Sequence, residues 1–191
     1  MSGCVVTSKD VALRAVGRTV VNFQRLEHNL KIAARLGPLE GVLAKIQRDF
    51  ERRTEKASLF TLGQAIEAWL NAINGGDAHT NPTPDLFDPT IRLTFSLQGD
   101  SEFHRAHGDA LKELLEVRNR LIHGGLVNFD WESRDACERL VAELTEVNEA
   151  IGVQIDFVAV VVKSFRPEGA AIEVFSGDGE KIFTTQLGSD S

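Results

Sequence analysis

Cysteine is scarce in this chain of 191 residues, which has only Cys4 and Cys137, far apart and in no paired spacing. Two isolated thiols exclude a disulfide scaffold and a cysteine-rich zinc site, and they favour a reducing, cytoplasmic compartment. Long apolar runs are also missing, because the most apolar one, residues 155–162, is short and contains Asp156. The first ten residues lack a basic region followed by an apolar stretch. We therefore expect neither a secretory signal nor a membrane partner.

Positive charge is in deficit. Lys and Arg total 21 against 28 Asp and Glu, which gives a net charge of −7. This balance excludes a generally cationic nucleic-acid coat protein, although a local basic groove remains compatible with it. The chain is 42% hydrophobic and 26% charged, which is ordinary globular composition, and its length fits one domain with at most an appendage.

Apolar residues recur every three or four positions over most of the chain, which is the helical period. The pattern predicts five helices, over residues 8–36, 38–53, 59–73, 101–123 and from 133 to before Pro167. Ser8 and Ser58 are the expected caps of the first and third helices. The last segment has an alternative interpretation, a helix followed by a valine-rich strand at 155–162.

Two segments indicate strands. Apolar and polar residues alternate over 91–97, and residues 170–187 have the pattern of a hairpin with its turn at 176–179. The predicted fold class is therefore mainly α, an up-and-down helical bundle of about five helices with a small β appendage. We divide the chain into a helical domain, 1–167, and a C-terminal β-hairpin or tail, 168–191, packed on the same domain.

Two histidines, His104 and His107, lie three positions apart on the fourth helix. A metal site would need a third and a fourth ligand, which the sequence does not indicate. We interpret them as surface histidines near the start of a helix, and we expect no metal and no cofactor.

The most unusual segment is 114–125, at the end of the fourth helix. Arg118 falls on the apolar stripe of this helix, between Leu115 and Ile122. A guanidinium in that position is either buried with a partner or placed at an interface.

Two further polar residues follow Arg118. Asn119 and His123 are four positions apart, so the amide can reach the imidazole. Arg118 and His123 are five positions apart, which is about 140° around a helix at 100° per residue. They converge only if the helix loosens at its end or if a second copy of the helix faces the first.

Arginine grips a phosphate through two parallel hydrogen bonds, and histidine exchanges protons near neutral pH. Together they suit metal-free cleavage of RNA, in which the adjacent 2′-hydroxyl is the nucleophile. The alternative is structural: Arg118 pairs with Glu27 or another buried acid, and His123 merely ends a helix.

The run Arg118-Asn119-Arg-Leu-Ile-His123 resembles the Arg-x4–6-His motif of the HEPN superfamily. The first helix carries Phe23-Gln-Arg-Leu26-Glu27, which is similar to a Phe-x-x-Leu-Glu pattern in bacterial members. The resemblance covers about residues 8–165 and leaves out the tail from Ala170.

This resemblance implies a helical bundle that forms a homodimer, with one composite site between two facing motif helices. It implies a metal-independent endoribonuclease with RNA as substrate, in a toxin–antitoxin or phage-defence system, with any antitoxin or partner protein on a separate chain. His123 would be the general acid or base, Arg118 would bind the phosphate, and Asn119 would orient the imidazole or the substrate.

Arg120 and Glu27 would contact the substrate in the same site. For Glu27 the alternative is a salt bridge with Arg25, Lys31 or Arg118. Other members of the superfamily are inactive scaffolds or bind nucleotides, so a non-catalytic dimeric interaction module or a nucleotide-binding module is the second hypothesis.

Overall fold

The computed structural model describes residues 6–37, 39–42, 45–74, 90–94, 97, 99–164, 171–175 and 181–186. This part of the chain is mainly helical, and it contains five α-helices: α1 (Ser8–Ala33), α2 (Ile46–Ser58), α3 (Leu62–Ile73), α4 (Ser101–His123) and α5 (Arg134–Ser164). A short 3₁₀ turn, Ala34–Leu36, extends α1. The prediction of a mainly helical bundle with about five helices is confirmed. None of the described helices combines the length and apolar character needed to cross a membrane.

Helices α1, α3 and α4 begin at polar caps, two of which differ from the prediction. Thr7 rather than Ser8 caps α1: its hydroxyl accepts from the Asp10 N–H, and the Asp10 carboxylate accepts from the Thr7 N–H. Thr61 rather than Ser58 caps α3 in the same reciprocal way, and Asp100 caps α4. These side chains bond backbone donors that have no partner inside the helix, which fixes where each helix starts.

The second helix is shorter at its start than predicted. Residues 38–53 were expected to be helical, but Leu39–Val42 form the strand β1, and α2 runs from Ile46 to Ser58. Gly41 and the β-branched Val42 both weaken a helix here. Pairing of β1 with a distant strand decides the outcome, and local periodicity cannot reveal that pairing.

Four strands form one antiparallel sheet in the order β1-β2-β3-β4, with β2 at Thr90–Thr94, β3 at Ala171–Phe175 and β4 at Lys181–Gln186. β2 pairs with β1 on one side and with β3 on the other. The sheet therefore joins strands from both sides of the predicted boundary at 167/168. The predicted turn at 176–179 lies outside the described residues.

Helix α5 is continuous through Gly152, which confirms the single long helix and rules out a strand at 155–162. Its buried residues Leu144, Ile151 and Val158 follow each other at intervals of seven positions. This spacing keeps one face of the helix turned towards the core along its length.

Helices α1 and α5 form the most extensive pair in the bundle. They run in the same direction, because Lys9 contacts Glu132 near their starts and Asn22 contacts Asn148 further along. Helices α3 and α4 run in opposite directions, because Trp69 contacts His107 whereas Gly63 lies against Leu115. The main core lies between these four helices and includes Phe23, Leu26, Leu30, Ile66, Trp69, Leu111, Ile151 and Val158.

A polar clasp, formed by Thr19, Asn22 and Asn148, interrupts the apolar interface of α1 and α5. Asn148 Nδ2 donates to Thr19 Oγ1 (2.8 Å) and to the Leu144 carbonyl (2.6 Å), and Asn22 Nδ2 donates to Asn148 Oδ1 (2.8 Å). Thr19 is fully buried. Buried polar groups that are all bonded fix one register between two helices, because any slip would leave them unpaired.

Replacing Asn148 by leucine is expected to lower the free energy of unfolding by about 1–3 kcal/mol, because Thr19 and Asn22 lose their shared partner. Chemical denaturation measures the change. The matched control is Glu146→Ala, two positions earlier on the exposed side of α5. A Thr19→Val/Asn148→Leu double variant should recover part of the loss, and an unchanged single variant would contradict the role of the clasp.

Candidate functional site

The predicted motif lies in the last turn and a half of α4, where two glycines end the helix. The N–H of Gly125 donates to the Arg120 carbonyl at 2.8 Å. A β-carbon at Gly125 would lie 2.9 Å from the same oxygen, so only glycine allows this close approach. The turn therefore holds His123 as the final residue of a regular helix.

Leu121 anchors this end of α4 to the rest of the bundle. It packs against a second apolar cluster, which consists of Ala12, Cys137, Leu140 and Leu144. Because Leu121 turns inward, the residues on either side of it face outward. Asn119, Arg120 and His123 are exposed, and the side chain of Ile122 is 47% exposed.

Arg118 is half-buried and bonds to its neighbour. Its Nη1 donates to Asn119 Oδ1 at 3.0 Å. Within the described part of the chain it forms no salt bridge, with Glu27 or with any other acid. Glu27 instead lies 2.8 Å from Lys31 Nζ, which is one of the alternatives that the sequence left open. The guanidinium is therefore not neutralised by a carboxylate.

Asn119 and His123 do not bond to each other in the described structure, since the amide oxygen of Asn119 is directed to Arg118. Helix α4 stays regular through His123. Arg118 and His123 consequently point in directions about 140° apart. One chain thus brings Arg118 and Asn119 together and leaves His123 on a different side of the helix.

Arg120 binds an acid of the next helix. Its Nη2 lies 3.0 Å from Glu143 Oε1, and both side chains are exposed. Such a surface pair contributes little to stability, about 0–1 kcal/mol. Because the pair is weak, Arg120 can leave Glu143 and bind an anion that approaches this end of α4.

His107 is the polar residue that the sequence interpretation misplaced. It was expected at the surface, but it is only 8% exposed, and its Nε2 accepts a hydrogen bond from Trp69 Nε1 at 2.9 Å. Its ring lies 4.6 Å from that of Phe157, measured between ring centroids. The spacing to Leu111 and Leu114, four and seven positions on, placed His107 on the buried face and could have revealed this.

Burial lowers the pKa of His107, and the nearby His104 lowers it further, whereas the side chain of Gln154 opposes the shift. The fold therefore favours the neutral imidazole. The unfolded chain binds more protons between the lowered pKa and the ordinary value of about 6.5. The contribution of neutral His107 to the free energy of unfolding is therefore complete above the ordinary pKa. It is lost as the pH falls from the ordinary pKa through the lowered one.

Replacing His107 by glutamine keeps an acceptor for Trp69 but removes the titrating group. The free energy of unfolding of this variant should therefore decrease less than that of the wild type between neutral and mildly acidic pH. A tenfold difference in proton affinity between the folded and unfolded states is equivalent to about 1.4 kcal/mol. Thermal or chemical unfolding at a series of pH values measures the difference. The control is His28→Gln, an exposed histidine on α1. Identical pH profiles for wild type and His107→Gln would contradict the assignment.

No group of three or more His, Cys, Asp or Glu side chains within the described residues is placed to hold a metal ion. No significant match to this chain was found among protein-family models, curated proteins or solved structures.

Proposed function

We propose that this protein is a HEPN-like, metal-independent endoribonuclease whose site is completed by a second copy of the chain. The observation that carries the proposal is the state of Arg118 and His123. Neither is paired with a carboxylate in the described structure, although Arg120, which lies between them in sequence, is paired with Glu143. An arginine and a histidine held in this state at an exposed helix end suit binding and cleavage of a phosphodiester.

In this mechanism Arg118 binds the phosphate that is cleaved. His123 takes the proton of the 2′-hydroxyl while water protonates the departing 5′-oxygen, or His123 protonates the departing oxygen while water takes the 2′-proton. The 2′-oxygen forms a bond to phosphorus as the bond to the 5′-oxygen breaks, which leaves a 2′,3′-cyclic phosphate and a 5′-hydroxyl. Asn119 holds the Arg118 guanidinium in place, and it would orient the imidazole or the substrate. Arg120 and Glu27 would contact the RNA further out.

The dimer follows from the same geometry. Arg118 and His123 diverge by about 140° on one helix, so a shared phosphate needs groups from two facing helices. The half-exposed Ile122 lies between them in sequence and supplies apolar surface for that contact. Single-stranded RNA is the favoured substrate, because its backbone can adopt the in-line geometry of 2′-hydroxyl attack.

The broader assignment belongs to the same proposal. We place the protein in the cytoplasm, as a toxin or phage-defence component with any antitoxin on a separate chain. The four-stranded sheet serves as the β appendage of a HEPN-like domain.

A second candidate is a non-catalytic dimeric module of the same fold, which binds a partner protein or a nucleotide. The hydrogen bond between Arg118 and Asn119 favours it, because it draws the amide away from His123. In this case Arg118 and Ile122 would serve only as contact residues.

Purified protein is expected to cleave RNA in EDTA, and His123→Ala should slow cleavage by at least about a hundredfold. Arg118→Ala should slow it by about tenfold or more, because a charge-assisted hydrogen bond to phosphate is lost. Gel analysis of end-labelled RNA, with identification of the terminal groups, measures both effects. The matched controls are His28→Ala and Arg105→Ala, two exposed residues away from the motif. Absence of cleavage by a folded dimer would favour the non-catalytic module.

The protein is expected to be a dimer at micromolar concentration, and Ile122→Glu should convert it to a monomer by placing a carboxylate in an apolar contact. Cleavage should disappear in the same variant although Arg118 and His123 are intact. Sedimentation velocity gives the oligomeric state. Val160→Glu is the control, since Val160 is 60% exposed and lies near the C-terminal end of α5, on a different helix from Ile122. A wild-type monomer would contradict the composite site.

A further inference from the structure

A second polar site lies away from the motif, in a groove between α1 and α5. The α1–α5 groove has a volume of about 520 Å³ and is lined by Val11, Arg14, Ala15, Arg18, Val141, Thr145, Asn148 and Glu149. It contains none of the residues of the α4 motif. Its volume is enough for a small organic molecule.

Two arginines form one wall of the groove. Arg14 and Arg18 are four positions apart, so they lie side by side on α1, with β-carbons about 5–6 Å apart. Neither guanidinium forms a salt bridge in the described part of the chain. Hydrogen bonds from the Thr7 backbone and side chain lower the pKa of the Asp10 carboxyl, and the charge of Arg14 adds a smaller effect in the same direction. The Asp10 carboxylate, however, is held by the backbone and side chain of Thr7 in the cap of α1.

The floor of the groove is fixed in place. Asn148 is held by the polar clasp to Thr19 and Asn22, and the Thr145 hydroxyl donates to the Val141 carbonyl at 2.7 Å. A ligand would therefore meet a preorganised surface, which lowers the entropic cost of binding. The remaining floor is apolar and can cover a sugar or a base.

Glu149 is the only acidic residue among the groove residues, and it forms no salt bridge with either arginine. Two positive groups and one negative group thus surround one space. A guanidinium pair suits a phosphate, and a carboxylate suits a hydroxyl or amino donor. A phosphorylated compound that also carries such a donor can therefore bind both the arginine pair and Glu149.

We propose that the α1–α5 groove binds a nucleotide, with its phosphate held by Arg14 and Arg18 and a hydroxyl or amino group facing Glu149. The nucleotide is either free or one unit of an RNA strand, since both present the same groups. This proposal does not depend on the ribonuclease proposal, because the groove shares no residue with it.

The test is an NMR titration of the intact protein with adenosine monophosphate and with a ten-nucleotide strand methylated at every 2′-oxygen, which cannot be cleaved by 2′-hydroxyl attack. Saturable shifts are expected at the Thr145 and Asn148 amides and at the Arg14 and Arg18 Nε groups. Arg14→Gln/Arg18→Gln should weaken binding by at least about tenfold, because charge-assisted hydrogen bonds are lost.

Arg25→Gln is the matched control, an exposed arginine seven positions beyond Arg18 on the same side of α1 and outside the groove. An equal loss of affinity in this variant would overturn the proposal, because it would indicate diffuse attraction to a basic helix. No saturable shift with either probe would overturn it as well. Tighter binding of the monophosphate would identify a free nucleotide as the ligand, whereas tighter binding of the strand would identify RNA.

The acidic wall can be tested independently with inorganic phosphate, which has no group for Glu149 to bind. Glu149→Gln should tighten phosphate binding about two- to threefold, the Coulomb effect in water of removing a like charge several ångströms away. Unchanged or weaker phosphate binding by this variant would contradict a phosphate site that is shared by the two arginines and Glu149.

Discussion

The packing of α1 against α5 is the contact on which the rest of the molecule depends. These are the two longest helices, with 26 and 31 residues, and they run in the same direction along most of their length. The polar clasp fixes their register, since Asn148 would lose Thr19 and Asn22 after a slip of one turn. Both surfaces to which we assign a function are attached to this pair. Leu121 attaches the motif end of α4 to it, and the α1–α5 groove is its outer surface.

Most of the helical framework could be predicted from sequence because its determinants are local. The bounds of α4 and the continuity of α5 follow from an apolar step of three or four residues with glycines at the α4 end. Strand β1 could not be found in this way. Leu39 pairs with Leu93, more than fifty positions away, and that contact overrides the helical period of its own segment. Choosing between Thr7 and Ser8 as cap likewise depends on the two reciprocal hydrogen bonds between Thr7 and Asp10.

The residues of the candidate site were chosen from the sequence motif, but their contacts could not be predicted from it. Spacing placed Asn119 within reach of His123, yet its amide oxygen accepts a hydrogen bond from Arg118. Neighbouring side chains compete for the amide, and spacing alone does not reveal that competition. The sequence left Arg25, Lys31 and Arg118 open as partners of Glu27, and the structure pairs it with Lys31, four positions on along α1. His107 shows the converse error. Its residue type suggested a surface, whereas its position on the buried face and its bond to Trp69 decide its environment.

The two proposed anion-binding surfaces differ in what a single chain can supply. Arg14 and Arg18 are four positions apart, so one helix turns both guanidinium groups to the same side and one chain suffices to hold a phosphate. Arg118 and His123 are five positions apart and diverge, so a single α4 offers a phosphate one of them at a time. In the composite site that we propose, chemistry at the motif would therefore depend on protein concentration through the dimer, whereas binding in the groove would not. A ligand in the groove would contact α1. The inner face of α1 belongs to the cluster that packs against Leu121, so the groove and the motif end of α4 share one support.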